Sequence, residues 1–416
     1  WLPTWNVSAA WNAHEEEFWQ SFRDVVSNMT LKASYSLTAD RGPASVSNSK
    51  AIINSYNTWR PFTSVKESGL ILSSVENSEL TYEKKHELNI GAEIGFIDNR
   101  INIEADWYTR NNFDLIGLIY TKGTGGQLAK FANVASMKSS GVEFTVSTRN
   151  IKTKDFSWNT DFIFSHTKNE VTDLQSNASV MDMISGNGFA MEGYPVRALF
   201  SMDFQGLDEN GYPTFINEKG QLTVSDINFQ EQLKKDHLVY EGPTDPTMTG
   251  SLGNIFRYKG FTLNAFITYS FGNVIRLDPV FHNVYSDLDA MPREFINRWT
   301  TGGDEKVTNV PVIADKRANQ QDPYLSYAYN AYNYSTERIA KGDFIRMKEL
   351  SLSYNFPKKM ISRLKVNDLS LKIQATNLFL IYSDKKLNGQ DPEFFNTGGV
   401  ASPVPRQFTL TLRLGI

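Results

Sequence analysis

Toward its C-terminus the chain alternates strictly between apolar and polar positions. Phe408, Leu410, Leu412, Leu414 and Ile416 fall on one side, and Gln407, Thr409, Thr411 and Arg413 on the other. A period of two marks a β-strand, whose successive side chains leave on opposite faces. Leu369, Leu371, Ile373 and Ala375 alternate in the same way with Ser370, Lys372, Gln374 and Thr376. From the other end, Trp5, Val7, Ala9 and Trp11 predict a first strand, and Leu31, Ala33, Tyr35 and Leu37 a second. Leu88 to Phe96 and Ile101 to Trp107 form a hairpin about Asp98-Asn99-Arg100. A second hairpin joins Val142–Ser147 to Phe156–Ser165, and a third turns at Lys259-Gly260. A fourth joins Phe344–Phe356 to Asp368–Tyr382 through Pro357 to Val366, with a change of phase near Glu349 that predicts a bulge. Two segments break the pattern. Asn12 to Val26 spaces Phe18, Phe22, Val25 and Val26 as on a helix behind Glu15, Glu16 and Glu17, which suit a helix start. Ala39 to Tyr82 is polar and shows no clear period.

The connections alternate between short and long. Short ones lie near residues 98–100, 151–155, 258–260 and 357–366, and long ones near 40–82, 122–138, 172–246, 274–342 and 383–404. Short turns at one end and long loops at the other are the habit of outer-membrane barrels. The fold class expected is therefore all-β: a transmembrane antiparallel β-barrel with long extracellular loops. About eleven strands would make this the C-terminal half of a barrel of about 22 strands, the class with a plugged lumen.

Composition agrees. The 27 Phe, 18 Tyr and 8 Trp in 416 residues are strand formers that also gather at membrane interfaces. No run approaches the roughly 18 apolar residues of a membrane-spanning helix, a test that strands alternating toward lipid and water pass unnoticed. A net charge of −4 and the absence of a basic stripe exclude a nucleic-acid surface. Without Cys there is neither a disulfide framework nor a thiolate metal site.

Several stretches resemble the SusC-like (RagA-like) family of TonB-dependent outer-membrane transporters of Bacteroidetes. They are Leu31-Lys32-Ala33-Ser34-Tyr35, Gly141-Val142-Glu143-Phe144, Glu192-Gly193-Tyr194-Pro195, Gly206-Leu207-Asp208, Gly250 to Asn254 and Phe256 to Phe261. Later come Arg298 to Asp304, Gly342 to Lys348, Leu352 to Pro357, Ala375 to Phe379 and Asp391-Pro392-Glu393. They appear in family order over nearly the whole chain. Gly302 stands where the family usually has Pro, and Ile416 where such barrels favour Phe. The resemblance implies that residues 1–416 are the C-terminal portion of the barrel, with the TonB box, N-terminal domain and plug preceding Trp1. It also implies a SusD-like surface lipoprotein as a lid, coupling to the TonB complex through the preceding part, and import of a large nutrient, glycan or oligopeptide.

Candidate sites follow from face and loop. Glu87, Asn89, Glu93, Asn102, Glu104, Asp106, Arg110, Glu143, Arg149 and Asp161 are expected to face the lumen, where they line a solute path or hydrate the wall and hold the plug. Trp107, Trp158, Phe164, Tyr269 and Phe408 are expected to face lipid. Among the loops, Tyr324, Tyr327, Tyr329, Tyr332 and Tyr334 lie among Asn and Ser, a mixture that stacks on sugar rings, bonds peptide backbones or packs against a partner. His14, His86, His166, His237 and His282 have no metal spacing, Gly123-Thr124-Gly125-Gly126 lacks the Lys of a phosphate loop, and Asp208-Glu209-Asn210-Gly211 is an incomplete calcium loop. No cofactor, metal or catalytic residue is expected. On the residues alone, a soluble all-β carbohydrate-binding protein or glycoside hydrolase stays open, as does a passive porin.

Overall fold

The structure, a computed structural model, describes residues 2–42, 50–62, 64–74, 76–120, 123, 129–175, 178–281, 293–362, 366–395 and 405–415. Within them eleven antiparallel strands form one sheet in which each strand pairs with its neighbour in this series. These are β1 (Trp5–Asn12), β2 (Val26–Asp40), β3 (Glu83–Phe96), β4 (Ile101–Tyr120), β5 (Ala129–Lys152) and β6 (Phe156–Leu174). They continue as β7 (Met248–Tyr258), β8 (Phe261–Phe271), β9 (Phe344–Asn355), β10 (Asp368–Ser383) and β11 (Gln407–Gly415).

Directly opposed residues share a face, so register decides whether the alternation of one strand continues into the next. It does. One row runs Trp11, Leu31, Ala92, Ala105, Phe144, Phe164, Gly250, Tyr269, Ile345 and Tyr382, and Leu263, Leu352, Ile373 and Leu410 make another. The opposite face carries Lys32, Gly91, Asp106, Glu143, Ser165, Thr249 and Ser270. The apolar face is bare, with Val7 67% and Leu410 70% exposed. An uncovered apolar sheet is a liability in water and the normal state of a barrel wall in lipid. No helix among the described residues is long and apolar enough to cross a membrane.

The turns are tight at three of the four expected hairpins, the fourth connection carrying a short helix, Lys358–Ile361. Ile97, Asp98 and Asn99 all have positive φ between β3 and β4, and Lys259 (φ 45°) with Gly260 (φ 92°) closes β7 onto β8. Two consecutive left-handed residues give the turn whose twist matches a two-residue hairpin. The bulge near Glu349 is present: Phe266 opposes Glu349 while Ile267 opposes Met347, leaving Lys348 as the extra residue.

Three expectations need correcting. The connection placed at 122–138 is strand for most of its length, because β4 runs to Tyr120 and β5 starts at Ala129. Register shifts on both sides of Leu115, beside Asp114 at φ 58°, scramble the period-two signal there. The helix at 12–26 is instead two 3₁₀ turns, Ala13–Glu15 and Glu17–Phe22. The stretch without a period holds a separate hairpin, Ile52–Trp59 with Lys66–Ser74.

The two longest connections fold together at the end opposite the tight turns. Strand Ala198–Met202 pairs with Leu238–Pro243, and Val274–Arg276 with Ile339–Lys341, while α1 (Val180–Ile184), α2 (Lys316–Gln321) and α3 (Leu325–Asn333) pack around them. Ser179 and Asp182 close a capping box at the start of α1. Their shared core includes Met183, Ile184, Phe200, Met202, Phe215, Phe281, Leu325 and Tyr332. The long loops are thus a small folded domain mounted on the wall.

Candidate functional site

The polar face of the sheet is the first candidate surface. Register puts all ten of the residues expected there on that one face: Glu87 opposite Arg110, Glu93 opposite Glu104, Asp106 opposite Glu143, Asn102 opposite Ser147, Arg149 opposite Asn159, Asp161 opposite Ser147, and Asn89 opposite Ser34. Much of its charge is paired internally. Glu87 sits between Lys85 at 2.7 Å and Arg110 at 3.0 Å, and Lys32 bridges Glu93 and Glu104. Asp161 accepts a hydrogen bond from Ser147 at 2.7 Å, and Arg149 donates to the Asn99 carbonyl at 3.0 Å. Such pairs at a wet surface contribute little to stability.

Higher on the same face, beneath the loop domain, lies a cavity of about 740 Å³. Thr249, Ser251, Phe266, Thr268 and Ser270 reach it from β7 and β8, Lys348 from β9, and Glu393 and Phe395 from the connection after β10. That connection is held down by Arg346, 4% exposed in its side chain, which pairs with Asp391 and, at 3.3 Å, with Glu393. Both carboxylates are met by one guanidinium nitrogen, Nη2, in charge-assisted contacts of the stronger kind. The cavity therefore has hydroxyls on one wall, aromatic rings from both sides, and charges matched within the protein.

The loop domain divides the five tyrosines. Leu325, Ala328, Tyr329 and Tyr332 make the buried stripe of α3, at helical spacing. Tyr332 is 1% exposed, and burial pushes its phenol well above the usual tyrosine value. Tyr329 is buried too and donates to the Val312 carbonyl at 2.7 Å. Tyr334 lies beside the Arg276 guanidinium, 5.9 Å from the ring centroid. Only Tyr324 and Tyr327, 61% and 44% exposed, present rings outward; they lie 5.8 Å apart, with Phe229 edge-on to Tyr327 at 6.0 Å. As contact candidates the tyrosines reduce to this pair.

Sequence reasoning missed the residues that hold the domain together. Arg276, buried, donates to the carbonyls of Ser335 (2.8 Å), Phe200 (2.6 Å) and Ile184 (3.3 Å), joining three segments. Desolvation lowers its pKa to about 10, and it stays charged at neutral pH. Glu241 is near it, its carboxyl pushed up by burial. Nothing in the local pattern around Arg276 announces this, since its partners are backbone atoms far away in sequence.

The stretches that carried the family resemblance meet one another in space. Arg346 and Asp391 belong to two of them. Trp299 packs on Gly211 in the turn after Gly206-Leu207-Asp208; a Cβ there would meet its ring at 2.4 Å. Asp304 accepts from the backbone of Thr300 and Thr301, each at 3.0 Å, which holds its carboxyl below the usual carboxylate range. Gly141 lies under Tyr108, whose hydroxyl hydrogen-bonds that of Thr167 at 2.7 Å. Some of these motifs are structural fastenings, while Gly250-Ser251, Gly342, Phe344, Lys348 and Pro392-Glu393 also line the cavity. Among the described residues no cluster of His, Asp and Glu could hold a metal ion, and His282 and Gly123-Thr124-Gly125-Gly126, apart from Gly123, lie outside them.

No family model matches the chain. Among curated proteins it is similar to "TonB-dependent receptor P3" of Formosa agariphila, 24% identical over 92% of this chain and 37% of that protein. It is also similar to "TonB-dependent receptor SusC" of Bacteroides thetaiotaomicron, 25% identical over 99% of this chain and 39% of that protein. The chain spans about two fifths of the length of these relatives. Among solved structures, that of the RagAB peptide transporter superposes with a TM-score of 0.77 at 21% identity, over 99% of this chain and 43% of the other. The sheet is therefore the C-terminal part of a transmembrane barrel, with the long connections as extracellular loops.

Proposed function

We propose that this chain, similar over nearly its whole length to SusC and other TonB-dependent receptors, is the C-terminal part of the barrel of a SusC-like outer-membrane receptor and supplies the wall, loops and part of the recognition surface of an importer for a large polar nutrient, glycan or oligopeptide. The observation that carries this reading is the two-faced sheet, bare and apolar outside and hydrated inside, topped by a folded loop domain over a cavity of about 740 Å³. Its chemistry is non-covalent. Rings at Phe266, Phe395, Tyr324 and Tyr327 stack, and the hydroxyls of Thr249, Ser251, Thr268 and Ser270 exchange hydrogen bonds with a solute.

A SusD-like lipoprotein is the partner that suits the extracellular side. The separate hairpin turns Ile53, Trp59, Leu70 and Leu72 to one exposed face, and a two-stranded hairpin is marginal in water unless something covers it. The plug and the TonB complex act through the preceding part of the transporter. Purification from native outer membranes in mild detergent, with mass spectrometry of co-purifying chains and ligands, tests the proposal. A plug-bearing portion together with a lipoprotein is expected, and the ligand mass separates glycan from peptide. A water-soluble species that stays monodisperse without detergent refutes it.

A further inference from the structure

At the tight-turn end, β3 to β4, β5 to β6 and β7 to β8 close through residues 97–100, 153–155 and 259–260. Residues 13–25, between β1 and β2, are much longer than such a closure needs. The excess is aromatic. Trp11, Phe18, Trp19 and Phe22 form a chain of rings with centroids 6.4, 6.2 and 6.0 Å apart. The indole N–H groups at both Trp positions are satisfied inside the protein: Trp11 donates to Glu16 at 3.0 Å and Trp19 to the Val26 carbonyl at 3.0 Å. Apolar surface is left facing out, with Phe18 57%, Phe22 56% and Val25 62% exposed. Ile97 of the next turn, also exposed, donates its N–H to the Val25 carbonyl and extends the patch.

Two features say what covers it. Trp11 is the first member of the apolar row that continues through Leu31, Ala92 and Ala105 across the wall, so the patch prolongs the lipid-facing surface at its lower rim. The charges are arranged for the same boundary: Glu15, Glu17 and Asp24 are exposed and punctuate the aromatic run, as in segments that lie in an interface with rings inward and charges in water.

We propose that residues 13–25 are a membrane foot, seating Phe18, Phe22 and Val25 in the phospholipid of the inner leaflet of the outer membrane. The 3₁₀ turns hold the rings at the boundary between headgroup and acyl chain, and the carboxylates stay at headgroup level. This goes beyond nutrient import and does not depend on the solute.

The test is spin-label accessibility in the whole transporter, with cysteines outside these residues removed, in nanodiscs of phosphatidylethanolamine and phosphatidylglycerol. Labels are placed singly by Phe18→Cys, by Phe22→Cys, and by Asp98→Cys in the adjacent turn as the water reference; residues 1–416 contain no other Cys. Oxygen, which concentrates in lipid, is expected to collide with labels at 18 and 22 several-fold more than a water-soluble nickel chelate does, with the ratio reversed at 98. Nickel access at 18 and 22 equal to that at 98 overturns the proposal. So does exclusion of both reagents, which would mean that protein covers the patch. The two foot positions check each other should one variant fold poorly.

Discussion

Replacing Tyr332 by Ala should dissolve the order of the loop domain while leaving the wall intact. The ring is 1% exposed and meets Phe204 at 5.5 Å and Phe281 at 5.4 Å, both edge-on. An aromatic side chain buries about 150–250 Å², which at about 25 cal/mol per Å² gives roughly 4–6 kcal/mol as an upper figure. Core aromatic-to-Ala replacements cost about 3–5 kcal/mol, so about 4 kcal/mol is expected. At 1.4 kcal/mol per decade that is close to a thousandfold in a local opening equilibrium. Hydrogen exchange with mass spectrometry on the detergent-solubilised transporter reads it directly. Protection at Leu325–Asn333 and Ala198–Met202 should fall by about three decades, while peptides from β7 and β8 keep theirs. Tyr324→Ala, at an exposed position, should shift protection by no more than about 0.5 kcal/mol and act instead on solute binding. If Tyr332→Ala leaves α3 protected within about threefold, or if Tyr324→Ala is equally disruptive, the division of these tyrosines into core and surface is wrong.

Three further outcomes follow from the wall and its fastenings. Leu410→Arg, on the lipid face, should cost about 2–4 kcal/mol near mid-bilayer, whereas Thr409→Arg on the lumen face should be nearly silent; equal effects in unfolding titrations would reject the assignment of faces. Arg346→Met leaves the carboxylate of Asp391 unpaired in a largely buried place, a loss of about 3–5 kcal/mol; faster proteolysis after residue 384, relieved by adding Asp391→Asn, is expected. Glu241 has a folded-state pKa raised by burial, so the folded state holds its proton more tightly and stability falls as pH rises from the ordinary 4.5 through the folded value. Glu241→Gln should accordingly protect Leu238–Pro243 more than wild type at about pH 7 and no better at about pH 4; equal protection at both would refute it.

The wall was legible because lipid and water impose the simplest possible pattern on it. Alternation from Leu88 to Phe96 or from Phe408 to Leu414 is local, and each strand declares its face without help from its partners. The bulge at Lys348 was legible for the same reason, as a slip in phase. The upper parts of β4 and β5 were not, because irregularities around Leu115 erase the period while pairing continues. The loop domain was the least visible. Its core unites residues from both of the longest connections, so most of its contacts have no signature within a short window. One signal was present: Leu325, Ala328, Tyr329 and Tyr332 carry the spacing of a buried helix face, and the abundance of Tyr and Asn drew attention to contact chemistry instead.

The length of β5 sets how far the wall rises beyond the membrane. Its 24 residues, at about 3.3 Å each, run for roughly 80 Å, whereas about 9–11 residues suffice to cross the hydrocarbon. More than half of this staple of the wall therefore stands clear of the lipid as a stiff, paired sheet rather than a tether. Anything mounted on such a parapet keeps a fixed height and heading above the cell surface.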